Sequence, residues 1–272
     1  MRGVSRESLA GAREGLESGS SGLDSPVLLT LGEELFSVVH LLHGQSRLRR
    51  VVSDPAIPAE RRADLLGQLL GDRLSRPALL VVDAVARASW STPRDVVDAV
   101  DDLAAQAVFA ASEREGVLDD VEDELFRFSR ILDREPRLRG ALTDPGLPAD
   151  RKRALLDDLL GGKVRPATLT LVHQVVLYPR GRTIDRGLEQ YGRMAAERRE
   201  RLVAHVSTVV PLSEEQQRRL ADALAAHLGH RVHLNVEIDP ELVGGITVRV
   251  GDELIDGSIA HRIAEARRRV VG

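Results

Sequence analysis

Apolar side chains recur three and four positions apart through the first two hundred residues, which is the spacing of amphipathic helices. One such set is Leu125, Phe128, Ile131 and Leu132. Pro148 stands where a first-turn proline belongs and Gly161 where a C-terminal glycine belongs. We therefore predict a short helix over 148–160, another from about 166 to 178, and a longer one from about 183 through 199.

The same pattern occurs twice, at an offset of 90 residues. Residues 34–71 align without a gap with residues 124–161, and 17 of the 38 aligned positions are identical. The identical positions include predicted core residues, such as Leu35-Phe36 and Leu125-Phe126, as well as boundary residues. A repeated unit of this length with several short helices predicts two tandem helical bundles.

The pattern changes near residue 201. Apolar residues then alternate with polar ones, as in strands with one buried face, over 202–212, 232–238, 246–250 and 254–255. Ser213 and Gln216 predict a helix start with reciprocal capping, and apolar residues at 259, 263 and 266 predict a closing helix. The predicted fold class is mainly α, with two tandem helical bundles followed by a small α+β C-terminal domain. The predicted domains are 1–101, 102–200 and 201–272.

Composition and charge narrow the possible functions. Of the 272 residues, 43% are hydrophobic and 29% charged, and the net charge is −4, so nucleic-acid binding is disfavoured. The absence of cysteine excludes disulfides and thiolate chemistry. Charged or polar residues interrupt the apolar runs, so we expect no membrane-spanning segment, and the first residues show no targeting signal. Arg267, Arg268 and Arg269 are interpreted as favourable charges at the end of a helix.

Two motifs could suggest catalysis, and neither does so on inspection. The run 161–163 resembles the end of a phosphate loop, but Asp157 and Val164 stand where that motif needs glycine and a hydroxyl residue. The acidic residues within 119–124 are interpreted as the charged start of a helix, where they complement its dipole. We therefore predict no catalytic residues and no cofactor.

Several histidines are candidate metal ligands. His227, His230 and His233 are spaced by three, but a predicted helix end falls among them, and no carboxylate accompanies them at ligand spacing. His40 and His43 are interpreted as solvated, because the second copy of the repeat has arginine and aspartate there. We predict no metal site.

A paired glycine, two further turns and alternating apolar residues coincide within the C-terminal region. The matching residues, to which we assign structural roles, are Asp239, Pro240, Gly244, Gly245, Gly251, Asp252, Asp256, Gly257 and Ser258. This region resembles the signature of the delta subunit of F-type ATP synthases, whose mitochondrial counterpart is the oligomycin-sensitivity-conferring protein. The resemblance extends over about residues 102–272.

The resemblance implies a stator subunit that has no chemistry of its own. In that family the helical bundle binds N-terminal segments of the alpha subunits, and the C-terminal domain binds the end of the b subunit. It implies one copy per complex, peripheral on the cytoplasmic face of the bacterial cell membrane, without direct membrane insertion. The alternative is a tandem helical adaptor that binds amphipathic helices outside ATP synthase; the C-terminal signature argues against it.

Residues 1–101 have no counterpart in the usual family pattern, and the repeat identifies them as a further copy of the bundle. We expect the second copy to contact the head, because it adjoins the C-terminal domain. The first copy is then expected to brace the stalk or another face of the head.

Overall fold

A computed structural model describes residues 1, 3–201, 203–228, 232–239, 242, 244–250 and 253–256. They fall into two compact units, the first ending at Ala195 and the second beginning at Ala196. The helices are α1 (Gly3–Ser20), α2 (Ser25–Gly44), α3 (Ser46–Ser53), α4 (Ala59–Leu70), α5 (Arg76–Arg87), α6 (Pro93–Glu115), α7 (Leu118–Arg134), α8 (Pro136–Thr143), α9 (Ala149–Leu160), α10 (Pro166–Leu177), α11 (Ile184–Arg201) and α12 (Glu214–Leu228). The strands are β1 (Val203–Thr208), β2 (His233–Ile238), β3 (Ile246–Val250) and β4 (Glu253–Asp256). The predicted fold class, mainly α with a small α+β part at the C-terminal end, is confirmed.

The repeat is visible in the helix boundaries. α3, α4 and α5 reappear 90 residues later as α8, α9 and α10 with identical lengths. α1 reappears at the same offset as the first part of α6, and the start of α6 reappears 91 residues later as the start of α11. Each copy is therefore a set of six helices, α1–α6 and α6–α11, and α6 belongs to both.

This sharing bears on the predicted domain boundary at 101/102, which falls in the middle of α6. The side chains of α6 are buried on nearly every side, as expected for a helix enclosed by two sets of neighbours. The division of the helical part into 1–101 and 102–200 remains a prediction, while the chain packs both copies into one compact unit.

The repeat extends to hydrogen bonds that hold the helices together. The Glu34 carboxylate accepts a hydrogen bond from the backbone N–H of Ser75, just before α5, at 2.9 Å. At the equivalent place the Glu124 carboxylate accepts one from the backbone N–H of Arg165, just before α10, also at 2.9 Å. Each glutamate thus satisfies a backbone donor that a helix start leaves unpaired, and ties two helices of its copy together.

α2 is the most apolar of the long helices, and its packing explains why. By length and composition α2 could cross a membrane, with a mean hydropathy of 1.3 over 18 residues. The expectation that no segment is long and apolar enough to cross a membrane is therefore wrong. The helix packs along α6, and Leu28, Leu35 and Val39 are fully buried. Its composition is therefore accounted for by a position in the protein core.

The C-terminal unit has a four-stranded sheet in the order β2-β1-β3-β4. β1 pairs in parallel with β2 and antiparallel with β3, and β3 pairs antiparallel with β4. Ser213 and Gln216 cap α12 reciprocally, as predicted: each backbone N–H donates to the other's side-chain oxygen, at 2.8 and 3.3 Å. Leu224 of α12 packs into the core of this unit, where Ala204 and Val248 are buried. The predicted closing helix lies outside the described residues.

Candidate functional site

An apolar groove of about 190 Å³ lies between α1 and α5 in the first copy. Its lining includes Ala12, Gly15, Leu16, Gly19, Leu80 and Ala84. Two of these are glycines with no atom within 4 Å of where a Cβ would be, so the floor of the groove is unusually open. Leu80 is 63% exposed, which is a high value for a leucine beside other apolar residues. The groove therefore has the composition of a surface that binds an apolar or amphipathic segment.

The same face of the second copy is covered. Five buried positions of α5 correspond, at an offset of 90, to five buried positions of α10, so the two helices occupy equivalent places. Ala84 in the open groove corresponds to Gln174, which is only 4% exposed. Leu80 corresponds to Thr170, which donates a hydrogen bond to Glu33 of α2 at 3.2 Å. α2 therefore lies over the part of α10 whose counterpart on α5 is open.

The other wall of the two grooves differs in the same way. Gly15 and Gly19 of α1 are exposed, whereas their counterparts on α6, Ala105 and Phe109, are fully buried. α2 approaches α6 closely at Gly32: a Cβ there would lie 2.5 Å from Cγ2 of Val108. α2 thus packs directly against α6, beside the counterparts of the positions that are open on α1.

A buried cluster of charges joins α6 to the turn that follows α10. Asp101 of α6 is 1% exposed and forms ion pairs with Arg180 and, at 3.5 Å, with Arg182. Arg182 also pairs with Asp98 at 2.7 Å. The Tyr191 hydroxyl donates to Asp101 at 3.4 Å, and burial raises the pKa of that phenol well above its ordinary value. The carboxylates are matched by two guanidinium groups, which makes their burial tolerable.

Arg180 holds its place in the cluster at a conformational cost. Its φ is +50°, in the left-handed region that costs a non-glycine residue about 1–2 kcal/mol, and Gly181 follows at +77°. The turn these two residues make brings the guanidinium to Asp101, where its side chain is 7% exposed. The ion pair offsets the strain of the turn.

His40 joins α2 to this cluster, so its interpretation as a solvated residue is wrong. Its Nε2 hydrogen-bonds to Oε1 of Gln174 at 2.7 Å, and Gln174 Nε2 donates to Asp101 at 3.0 Å. The imidazole also stacks on Tyr178 with ring centroids 3.3 Å apart. Burial lowers the pKa of His40, which favours the neutral ring as donor to the glutamine.

This cluster escapes prediction from the sequence because its members are far apart in the chain. Asp101 sits beside Asp102 in a stretch of α6 that is rich in alanine and valine, and Gln174 sits among apolar residues of α10. A polar residue on an apolar helix face is the available signal, since such a residue needs a buried partner. The identity of that partner depends on tertiary packing.

The predicted signature residues lie in the other unit and are described in part. Gly244 and Gly245 have φ of +140° and +89°, so the pair meets a backbone requirement that other residues meet only with strain. Asp239 follows β2, and its backbone N–H donates to the carbonyl of Thr208 at 2.9 Å. Asp256 ends β4. The signature residues outside the described part are Pro240, Gly251, Asp252, Gly257 and Ser258.

Within the described residues, no group of three or more histidine, aspartate or glutamate side chains could hold a metal ion. Of the three C-terminal histidines considered as ligands, His230 lies outside that part of the chain.

The comparisons with known proteins agree with the sequence resemblance. The family "ATP synthase delta (OSCP) subunit" matches residues 103–270. ATP synthase subunit delta of Thermobifida fusca is 51% identical over 274 residues, with 100% of both chains covered. The corresponding subunit of Streptomyces avermitilis is 48% identical over 268 residues, covering 98% of each chain, and that of Streptomyces griseus is 46% identical over 274 residues, covering 100% of both. These relatives thus include the first copy of the repeat, which precedes the family match. The chain therefore belongs to the ATP synthase delta (OSCP) subunit family.

Proposed function

We propose that this chain connects the catalytic head of ATP synthase to its peripheral stalk, with its helical unit binding an N-terminal segment of an alpha subunit and its C-terminal unit binding the end of the b subunit. As a member of its family it is a non-catalytic subunit of that complex. The observation that carries the proposal is the open apolar groove between α1 and α5. We further propose one copy per complex, held peripherally at the cytoplasmic face of the membrane without inserting into it.

The groove fits the apolar side of an amphipathic helix. Gly15 and Gly19 allow a helix backbone to approach α1 closely, and Leu80 supplies a large apolar contact on the opposite wall. Burying a leucine of this kind contributes about 1.5–3 kcal/mol. The order of the domains along the sequence favours the second copy of the repeat for the head contact. The open groove instead favours the first copy, because the equivalent surface of the second copy is covered by α2.

The C-terminal unit offers apolar side chains at both edges of its sheet. β2 is one edge strand and carries Ile238, which is 56% exposed; β4 is the other and carries Leu254, which is 64% exposed. No further strand pairs with these edges among the described residues, and exposed apolar side chains at a sheet edge are suited to binding another chain. These positions support the proposal that this unit binds the b subunit.

The head contact is tested by a matched pair of substitutions in the full chain. Leu80→Asp places a charge in the groove, whereas Leu69→Asp places one on α4, at a residue that is 42% exposed and outside the groove. Tagged chains are purified from their own membranes in mild detergent, and alpha, b and the tagged chain are quantified by mass spectrometry. We expect the Leu80→Asp chain to recover at least about tenfold less alpha, since tenfold corresponds to about 1.4 kcal/mol.

The Leu69→Asp chain should recover alpha and b as the unchanged chain does. Full recovery of alpha with Leu80→Asp, or an equal loss with both variants, would contradict the groove as the head contact. Recovery of the unchanged chain without alpha and b would contradict the connecting role itself.

A further inference from the structure

We propose that α2 is a permanent internal occupant of the groove between α6 and α10. Among the described residues there are two equivalent grooves, and only the groove between α1 and α5 would then be available to a partner helix. The identity of that partner, an alpha-subunit segment, rests on the proposed function, whereas the closure of the second groove does not.

The two grooves are equivalent in the repeat but differ in exposure. Three exposed groove positions on α1 and α5 have buried counterparts on α6 and α10: Gly15 and Ala105, Gly19 and Phe109, and Ala84 and Gln174. Leu80 is exposed, and its counterpart Thr170 is half-buried. α2 contributes to the burial on α10, because Gln174 and Thr170 both hydrogen-bond to residues of that helix. A helix therefore already occupies the place that a partner helix would take.

The fit between α2 and α6 is too close to be shared with another segment. Gly32 has no side chain, and the space of a single Cβ there is already taken by Val108, at 2.5 Å, and by the carbonyl oxygen of Ala104, at 3.0 Å. The residue at the equivalent position of the second copy is Glu122. Its longer side chain could not be accommodated at such a distance, so the close approach is particular to α2.

Specific polar contacts fix α2 in register. His40 reaches Gln174 at 2.7 Å and stacks on Tyr178, and Glu33 accepts from Thr170 two turns earlier. Removing α2 would leave Gln174 without its histidine and would expose the fully buried Val108 to water. Any partner competing for this groove would have to replace all of these contacts.

The chain contains no cysteine, so single cysteines can report on each groove without background. Ala84→Cys and Gln174→Cys place a thiol at equivalent positions of the two copies. Leu80→Cys and Thr170→Cys form a second pair that keeps Gln174 in place, in case its loss perturbs folding. The rate of reaction with a water-soluble maleimide is measured on the folded full chain and, as a control, in denaturant, where both thiols of a pair should react alike.

We expect the thiol of Gln174→Cys to react at least about tenfold more slowly than that of Ala84→Cys, because position 174 is buried and becomes accessible only when α2 opens locally. Position 170 is half-buried, so Thr170→Cys should react more slowly than Leu80→Cys by a smaller factor. Equal rates in the folded chain would overturn the proposal.

The probe for the partner is a synthetic peptide of the alpha subunit's N-terminal segment. The proposal expects it to slow labelling at Ala84→Cys and to leave the rate at Gln174→Cys unchanged. Slower labelling at Gln174→Cys would mean that the peptide occupies the second groove, and would overturn the proposal. If the peptide protects neither thiol while the difference between them persists, α2 still closes the second groove and the alpha partner of the proposed function is contradicted instead.

Discussion

Replacing Gly32 with alanine puts a methyl group where α2 and α6 leave no room. The added Cβ would lie 2.5 Å from Cγ2 of Val108 and 3.0 Å from the carbonyl oxygen of Ala104. Carbon atoms in contact normally sit about 3.5–4.0 Å apart, so α2 and α6 must separate or Val108 must move. The backbone oxygen cannot turn aside as a flexible side chain could.

The magnitude follows from two opposing effects. Overpacking a tight core contact costs about 1–3 kcal/mol. Replacing a glycine inside a helix with alanine returns about 0.5–1 kcal/mol. We therefore expect Gly32→Ala to lower the free energy of unfolding by about 1–2 kcal/mol. Gly67 in α4 is the matched control, because nothing lies within 4 Å of the place that its Cβ would take, so Gly67→Ala should gain about 0.5–1 kcal/mol.

Urea and thermal unfolding followed by circular dichroism measure both changes. For a unit of this size, each kcal/mol corresponds to about 2–4 °C in Tm. Val108→Ala added to Gly32→Ala should cost less than the sum of the two single changes, because it removes the methyl group that the new side chain meets. Strict additivity, or a Gly32→Ala chain as stable as the Gly67→Ala chain, would refute the claim that α2 and α6 are in closest contact at this glycine.

Two further predictions concern the buried cluster. Asp101→Asn leaves the buried Arg180 without its main countercharge and should lower the free energy of unfolding by about 3–5 kcal/mol. Asp123→Asn breaks an exposed ion pair and should lower it by less than about 1 kcal/mol. Equal losses for the two variants in urea unfolding would contradict the buried ion pair of Asp101 with Arg180. The pKa of His40 is lowered from 6.5 by burial, so the folded chain binds fewer protons there than the unfolded chain. Its contribution to stability is therefore complete above pH 6.5 and is lost as the pH falls through the lowered value. The free energy of unfolding should decline with acid below pH 6.5, and less steeply in a His40→Gln chain; identical slopes for the two chains would show that His40 is not the group responsible.

The local structure could be predicted from the sequence alone. α9 begins at residue 149 and ends at 160, within one residue of the prediction from Pro148 and Gly161. The capping of α12 by Ser213 and Gln216 is as predicted, and so is the alternation that forms β3. These features depend on neighbours within a few residues, and the sequence contains those neighbours directly.

The repeat, too, was readable from the sequence, but its consequences were not. Identical residue pairs at an offset of 90 predicted two similar bundles, and the helices recur at that offset. That α6 serves both copies, and that α2 fills the groove of the second, depends on how the copies pack against each other. No local pattern contains that information.

One pair of equivalent residues separates what the sequence predicts from what depends on tertiary packing. Phe36 and Phe126 occupy the same position in two matching Leu-Phe pairs, yet Phe36 is 4% exposed and Phe126 is 67% exposed. Ile131 was predicted to share the core face of α7 and is 45% exposed. Periodicity determines which side of a helix is apolar, because that depends on the helical repeat alone. Only the tertiary structure decides which apolar side receives a covering helix, because that depends on where helices distant in the sequence come to lie.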